Sequence, residues 1–137
     1  MRASRLAPRR PGVDDRPVKM VLWVGAGGFL GAVLRYGLSS WLPAQRFGCG
    51  TLTVNLLGCL AIGALAGWTE TRGELDPHTR ALVISGVLGS FTTFSALSIE
   101  VVGFARDGRS MLAFAVMAAH LVGGLGAVVI GRLLVLR

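Results

Sequence analysis

Charged side chains are scarce in this chain of 137 residues: they make up 15% of it, whereas hydrophobic residues make up 53% and the mean hydropathy is +0.64. Soluble domains average about 25% charged residues, and long uncharged apolar runs are typical of membrane spans. The composition therefore excludes an ordinary soluble domain and predicts one small polytopic membrane domain. The 14 basic residues outnumber the 7 acidic ones, but in a membrane-embedded chain such an excess marks topology and does not indicate nucleic-acid binding.

Cysteine is also rare, with two residues ten positions apart, Cys49 and Cys59. On one helix their Cα atoms would lie about 15 Å apart, which is beyond the reach of a disulfide. No metal-ligand spacing accompanies them, and Cys59 is interpreted as a small packing residue. No nucleophile–base pair is visible in the sequence, so an enzyme is not predicted.

Four apolar segments are long enough to cross a bilayer, which needs roughly 20 helical residues. The predicted fold class is all-α, with spans at about 18–42, 48–68, 79–104 and 111–136 in one transmembrane domain that covers 18–137. Residues 1–17 contain five arginines and three prolines without an apolar period, and they are predicted to form a disordered cytoplasmic tail. A signal peptide is the alternative, but no small-residue cleavage pattern follows the apolar run.

The basic residues predict the orientation of the spans. With four spans, the tail, the second link and the C-terminus share one side and carry ten Lys and Arg residues, against three on the other side: Arg46, Arg106 and Arg109. The positive-inside rule therefore places both termini of this multi-pass protein in the cytoplasm, in the inner (plasma) membrane of the cell. Without the five tail arginines the bias falls to five against three.

A polar interval at 86–98 lies in the middle of the third span. Gly89 and the hydroxyl residues that follow it loosen a helix at a depth where every backbone N–H and C=O needs a partner in protein or water. Broken membrane helices offer freed carbonyls to cations and N–H ends to anions, so the interval is a candidate site. The alternative is that its small residues only allow close helix packing.

Polar side chains in the first two spans are further candidates. Arg35 either has a function inside the first span or extends its guanidinium to the interface. Thr51 and Asn55 are four residues apart and face one side of the second span. Arg35 and Asn55 are predicted to lie at similar depth, where their N–H donors would suit an anion. Alternatively, Asn55 makes an ordinary hydrogen bond between helices.

Two titratable side chains in the later spans leave similar alternatives. His120, near the middle of the fourth span, is either a ligand or a histidine satisfied by a bond between helices. Glu100, near the end of the third span, either faces interfacial water or accepts a hydrogen bond from a hydroxyl group.

Three sequence blocks follow one another across the first three spans: GGFLGAVLRY at 27–36, GTLTVNLLG at 50–58 and GVLGSFTTFS at 86–95. Together they resemble the CrcB/Fluc fluoride channel family, whose length and four-span plan the chain shares. The resemblance implies an antiparallel, dual-topology-type dimer with two fluoride pathways and a structural sodium ion at its centre.

The resemblance also implies roles for individual residues. Asn55 would donate a hydrogen bond to fluoride, and the positive ring edge of Phe94 would face the anion. The backbone carbonyls of Gly89 and Ser90 would bind the sodium ion at the two-fold axis. Four further residues would line or brace the pathway or set its potential: Thr92, Thr93, Ser95 and Arg35.

The chain departs from the family pattern at three positions. Leu97 stands where the family usually has a second phenylalanine, and Val116 stands where a pore tyrosine is expected. His120 falls on a small polar position, where a charged imidazole could hold an anion and a neutral one could still donate. With the charged tail, these departures suggest that the chain keeps one orientation and pairs with an oppositely inserted paralogue; the alternative is a homodimer.

The predicted function is passive fluoride export across the lipid bilayer, which would confer fluoride resistance. The membrane potential would drive it with about 2.3 kcal/mol per charge per 100 mV. Two other classes remain as alternatives. A small proton-coupled multidrug exporter needs an intramembrane carboxylate, which the first span lacks. A non-transporting membrane assembly subunit would explain the glycines, but not Arg35, Asn55 and the hydroxylated break together.

Overall fold

A computed structural model describes residues 16–42 and 47–137, and their side chains from Val18 onward. The predicted tail lies outside the described residues, apart from the backbone of residues 16 and 17, and so does Arg46. The regular structure of the described part is helical: α1 (Arg16–Trp41), α2 (Cys49–Arg72), α3 (Pro77–Arg80), a π-helical segment (Ala81–Leu88), α4 (Gly89–Phe91), α5 (Phe94–Arg106) and α6 (Ser110–Val135).

Within residues 16–42 and 47–137, four helical stretches are long and apolar enough to cross a membrane: Val18–Trp41, Cys49–Arg72, Pro77–Arg106 and Ser110–Val135. The predicted all-α, four-span architecture is therefore confirmed. The third stretch, called the third span below, contains α3, the π-helical segment, α4 and α5. Cys49 and Cys59 lie on the same helix and are both free, as their spacing predicts.

The second helix is longer than the sequence indicates. The predicted second span covers about 48–68, whereas α2 continues to Arg72. The hydroxyl groups of Thr69 and Thr71 donate to backbone carbonyls three or four residues earlier, at 2.9 and 3.2 Å, so these polar residues remain helical. The helix ends at Gly73, whose φ of 94° is a left-handed value that favours glycine. The polar residues that follow Trp68 therefore do not end the helix; α2 ends at Gly73.

Asp76 starts the third span by capping α3. Its carboxylate accepts hydrogen bonds from the backbone N–H groups of His78 and Thr79, at 3.0 and 3.1 Å, and Pro77 follows it in the first helical turn. Because hydrogen bonds from Thr79 and then His78 favour the ionised form, they lower the pKa of the Asp76 carboxyl. The helix therefore has a fixed starting point in the aqueous link.

Glycines bring α1 into direct contact with the π-helical segment. A Cβ atom at Gly27 would overlap the carbonyl oxygen of Leu82, and one at Gly31 would overlap the carbonyl oxygen of Val87. Gly86 faces Gly27 from the other side, and a Cβ atom built there would lie 2.8 Å from the Gly27 Cα. Small residues let membrane helices approach this closely, and Gly27 and Gly31 have that role in α1.

A second pair of helices, α2 and α6, packs in the same way. A Cβ atom at Gly63 would overlap the Val128 carbonyl oxygen, and one at Gly131 would overlap the Leu60 carbonyl oxygen. At one end of this pair, the Arg132 guanidinium donates two parallel hydrogen bonds of 2.9 Å to the Glu70 carboxylate. Because α5 also packs on α6, the second half of the third span is held beside α2 and α6.

Candidate functional site

The helical path of the third span is interrupted between α4 and α5. Thr92 (φ −82°, ψ 156°) and Thr93 (φ −151°, ψ 118°) are both extended. The last helical hydrogen bond before them runs from the Thr92 N–H to the Leu88 carbonyl, at 3.1 Å. The Thr93 hydroxyl then caps α5 by accepting a hydrogen bond of 3.2 Å from the Ala96 N–H. This geometry is compatible with the predicted helix that breaks midway.

Asn55 of α2 holds the interruption from the side. Its Nδ2 donates to the Thr93 carbonyl at 3.0 Å, and its Oδ1 accepts from the Thr93 N–H at 2.8 Å. Because a carbonyl only accepts and an N–H only donates, the two bonds fix which end of the amide is nitrogen. The side chain thus satisfies both backbone groups of a residue that lies outside any helix.

The Asn55 contact also changes the surroundings of the Gly89 carbonyl. In an uninterrupted helix the Thr93 N–H would donate to Gly89, four residues earlier. Here that N–H donates to Asn55 instead, so the Gly89 carbonyl loses its usual helical partner. A carbonyl released in this way is the kind of hard oxygen ligand that binds a cation in membrane proteins.

An open groove of about 700 Å³ lies beside the interruption, between α2, the third span and α6. Its lining is mainly apolar and includes Asn55, Gly89, Thr93, Phe94 and His120, five of the residues predicted for the site. The Phe94 side chain is largely uncovered, with 80% of its surface exposed. The fold therefore brings the amide, the aromatic ring, the extended backbone and the imidazole to one surface.

Three residues predicted for the site do not line this groove. The Ser90 hydroxyl lies on the other side, beside Gly28 of α1. The Ser95 hydroxyl is exposed and pairs with the Thr93 hydroxyl at 3.1 Å. The Nε atom of Arg35 is buried and has no hydrogen-bond partner among the described residues.

Two of the three departures from the family pattern, Leu97 and Val116, occupy buried positions. Leu97, which stands at the second phenylalanine position, is 7% exposed and contributes to the groove lining. The Val116 side chain is fully buried. Neither residue offers a polar group or a ring edge to the groove, so Phe94 is the aromatic residue in the lining.

His120 binds the backbone of its own helix. Its Nδ1 lies 2.9 Å from the Val116 carbonyl oxygen, and because that oxygen can only accept, Nδ1 carries the proton. The other ring nitrogen, Nε2, is buried and has no hydrogen-bond partner among the described residues. In the neutral ring this nitrogen has a lone pair and no proton.

The sequence did not predict the pairing of Thr51 with Glu100. The Thr51 hydroxyl donates a 2.5 Å hydrogen bond to Glu100 Oε1, so the hydroxyl alternative for Glu100 is the one found. Glu100 Oε2 lies against Gly48, at the positive end of α2, where a carboxylate is favoured. Gly48 has a left-handed φ of 62° and no Cβ atom to obstruct the carboxylate. The two partners are 49 positions apart, and no local pattern connects them.

In the described part of the chain, four helices can span a membrane and one of them is interrupted midway along its length beside polar groups, an arrangement that is found in channels and transporters. The sequence profile of the family described as CrcB-like protein, Camphor Resistance (CrcB), matches residues 22–132. The chain belongs to this family. It is therefore a multi-pass protein of the cell membrane and not an enzyme.

Several relatives share most of their length with the chain. It is 43% identical over 115 residues to the fluoride-specific ion channel FluC of Chloroflexus aurantiacus, covering 81% of this chain and 90% of the relative. It is 45% identical over 117 residues to FluC 2 of Symbiobacterium thermophilum, covering 83% and 95%. It is 40% identical over 120 residues to FluC of Azotobacter vinelandii, covering 85% and 97%.

Proposed function

We propose that this protein is a fluoride-specific ion channel that lowers cytoplasmic fluoride by passive export. The observation that carries the proposal is the pair of hydrogen bonds between Asn55 and Thr93 in the wall of the mid-span groove. We interpret this contact as part of a fluoride pathway because relatives of the chain in the same family are named fluoride-specific ion channels.

The Asn55 amide can serve an anion while it holds the backbone. Nδ2 has two N–H groups, and the Thr93 carbonyl accepts from it once. A second N–H therefore remains for fluoride in the groove. Phe94, exposed beside it, adds the positive edge of an aromatic ring. The amide N–H and the ring edge would stabilise an anion that has lost part of its hydration shell, although more weakly than bulk water does.

The groove itself argues against the proton-coupled exporter. Such a carrier needs a carboxylate that titrates within the membrane. Among the residues that the structure describes, those that line the groove include no Asp or Glu, and the Glu100 carboxylate is bonded to Thr51 at the start of α2. The lining has two titratable groups among its described residues, the Cys59 thiol and the His120 imidazole.

The interrupted backbone supports the proposal of a structural sodium ion. The Gly89 carbonyl, released from the Thr93 N–H, would be one ligand, and the adjacent Ser90 carbonyl would be another. Two carbonyls do not complete a cation site, so a second copy of the chain would have to supply further ligands. Sodium would then stabilise the assembled protein rather than the single chain.

The proposed partner is a second copy in the opposite orientation. Phe94 is 80% exposed at mid-span, beside an apolar groove that a second protein surface would cover. An oppositely inserted paralogue is the alternative partner. The paralogue would supply the second phenylalanine, whose position is occupied by Leu97 in this chain.

Co-purification from the native host distinguishes the homodimer from the pair with a paralogue. A self-dimer with full activity supports the homodimer, and an inactive self-dimer supports the paralogue.

Fluoride efflux from liposomes tests the function. Vesicles containing the purified chain and sodium are loaded with fluoride or chloride, and release is followed with ion-selective electrodes. We expect rapid release of fluoride and no release of chloride. Equal release of both anions would contradict the proposal. The proposal would also be contradicted if folded protein released no fluoride either alone or together with a co-expressed paralogue.

A further inference from the structure

A second groove lies at one end of the spans, between α2, the end of α6 and the link that follows α2. Its volume is about 360 Å³, and its lining is apolar: Ala64, Leu65, Trp68, Leu75 and Val135. It shares no lining residue with the mid-span groove. A protein surface that covers Phe94 therefore need not cover this second groove.

The position of the second groove corresponds to the boundary between bilayer and water. Charged residues begin directly after Trp68, with Glu70 and Arg72, and tryptophan is enriched at membrane interfaces because its ring is apolar and its N–H is polar. Trp68 is 38% exposed in the groove wall. Leu75 is half-buried although the other residues of 71–78 are exposed, so the link folds this one apolar side chain back against the groove. An apolar surface thus reaches the level of the lipid headgroups.

Arg72 lies one helical turn beyond Trp68 on the side of the second groove. Leu65, Trp68 and Arg72 follow one another at spacings of three and four residues, so they share one face of α2. The Gly73 N–H donates to the Thr69 carbonyl at 3.0 Å, so the helix extends through Arg72. A positive charge therefore stands at the aqueous end of the face that lines the groove.

The charge of Arg72 is not neutralised by its neighbours. Arg132 of α6 is bound to Glu70 by two hydrogen bonds, whereas Arg72 makes no ion pair with the residues that the structure describes. Basic residues also outnumber acidic ones among the described residues at this end of the spans, five against three: Lys19, Arg72, Arg80, Arg132 and Arg137 against Glu70, Glu74 and Asp76. This end of the protein is thus complementary to an anion.

We propose that the second groove binds an acyl chain of an anionic phospholipid, whose phosphate is bound by Arg72. Guanidinium groups bind phosphate oxygens through paired N–H donors, and basic pockets between membrane helices bind anionic headgroups. A zwitterionic phospholipid offers the same acyl chain with a headgroup of no net charge, so the site prefers the anionic lipid. The site is independent of fluoride transport.

Trp68 can report on the occupant directly, because brominated acyl chains quench tryptophan fluorescence on contact. The full-length protein is reconstituted in vesicles that contain equal fractions of brominated phosphatidylglycerol or brominated phosphatidylcholine. The chain has three tryptophans, Trp23, Trp41 and Trp68. The contribution of Trp68 is the difference between wild type and Trp68→Phe, and it is measured again in the double variant Trp23→Phe/Trp41→Phe, so that a single misfolded variant does not decide the result.

We expect phosphatidylglycerol to quench Trp68 with a roughly fivefold higher apparent affinity than phosphatidylcholine, the factor that one basic residue near an anionic surface provides. Arg72→Gln should remove this preference, and Arg72→Lys should retain most of it. Arg80→Gln is the matched control, because it removes the same charge at the same end but outside the groove lining, and it should keep the preference.

Three results would overturn the inference. The first is equal quenching of Trp68 by the two lipids in wild type. The second is a preference that persists in Arg72→Gln or falls equally in Arg80→Gln, which would show a diffuse attraction to the whole basic end. The third is the absence of quenching by either lipid, which would show that protein covers the groove. None of these results would affect the proposed channel function.

Discussion

Asn55 and Thr93, 38 positions apart in the sequence, are joined by two hydrogen bonds, at 2.8 and 3.0 Å. They link α2 to the extended residues between α4 and α5. In the apolar interior of a membrane an unpaired backbone group costs several kcal/mol, so this contact allows the helix to remain open at Thr93. The same contact orients the amide in the groove and releases the Gly89 carbonyl from its helical partner.

Asn55→Ala is expected to loosen the interrupted segment. The substitution removes both bonds and leaves the Thr93 N–H and carbonyl without partners, which should cost about 2–6 kcal/mol of stability, at about 1–3 kcal/mol for each unsatisfied buried group. Hydrogen exchange followed by mass spectrometry should show faster exchange of the Thr93 amide. Thr53→Ala is the matched control, because Thr53 is two residues away and points to another side of α2. Unchanged exchange in Asn55→Ala would contradict the structural role.

Thr51→Val should destabilise the start of α2. The valine has a similar shape but cannot donate to Glu100, whose carboxylate would then be left without its hydroxyl partner. A buried acceptor without a donor costs about 1–3 kcal/mol, and thermal unfolding in detergent would measure the loss. Thr51→Ser, which keeps the hydroxyl, should behave nearly as wild type. Equal melting temperatures for the valine and serine variants would show that the Thr51–Glu100 bond contributes nothing.

Gly27→Ala should disrupt the contact between α1 and the π-helical segment. The added methyl group would overlap the Leu82 carbonyl oxygen, and backbone cannot move aside as a flexible side chain can. Such overpacking costs about 1–3 kcal/mol. Gly25→Ala is the matched control on the same helix, because no described atom beyond its own helical turn lies within 4 Å of its Cβ position. The yield of folded protein in size-exclusion chromatography should fall for the first variant alone; equal yields would contradict the close packing.

Phe94 and Leu97, three residues apart, should respond differently to truncation. Phe94 is 80% exposed, so Phe94→Ala should leave the folding of the single chain unchanged while it reduces fluoride efflux. Leu97 is 7% exposed, and Leu97→Ala should cost about 2–5 kcal/mol of stability, as buried leucines generally do. Melting temperature and efflux are measured for both variants. A Phe94→Ala variant with full fluoride efflux would remove the ring from the proposed pathway.

The sequence predicts the helices better than it predicts their contacts. Hydropathy is sufficient for the four spans, and the glycine spacing at 27 and 31 predicts the close approach of α1. Hydropathy does not show how far α2 continues beyond its apolar part, because Thr69 and Thr71 satisfy their hydroxyl groups within the helix. A polar residue at a membrane interface has no need to leave the helix, and only the left-handed Gly73 stops it.

The sequence indicates which residues belong to the candidate site, but it does not indicate which hydrogen bonds they make. The helical spacing of Thr51 and Asn55 correctly places both on one side of α2, and in the structure both contact the third span. It does not reveal that one binds a carboxylate and the other a backbone, because those partners lie 49 and 38 positions away. For His120, the sequence leaves the tautomer open, and the Val116 carbonyl decides it. These outcomes depend on tertiary packing, which no local pattern contains.

The most direct test of the proposed channel is fluoride efflux from liposomes containing wild type, Asn55→Ala or Thr53→Ala at equal protein content. The account predicts rapid, fluoride-specific efflux for wild type and Thr53→Ala. It predicts efflux at least about tenfold slower for Asn55→Ala, since a loss of 1.4 kcal/mol corresponds to a factor of ten. Rapid fluoride efflux through folded Asn55→Ala would contradict the central role of the Asn55–Thr93 contact in the pathway.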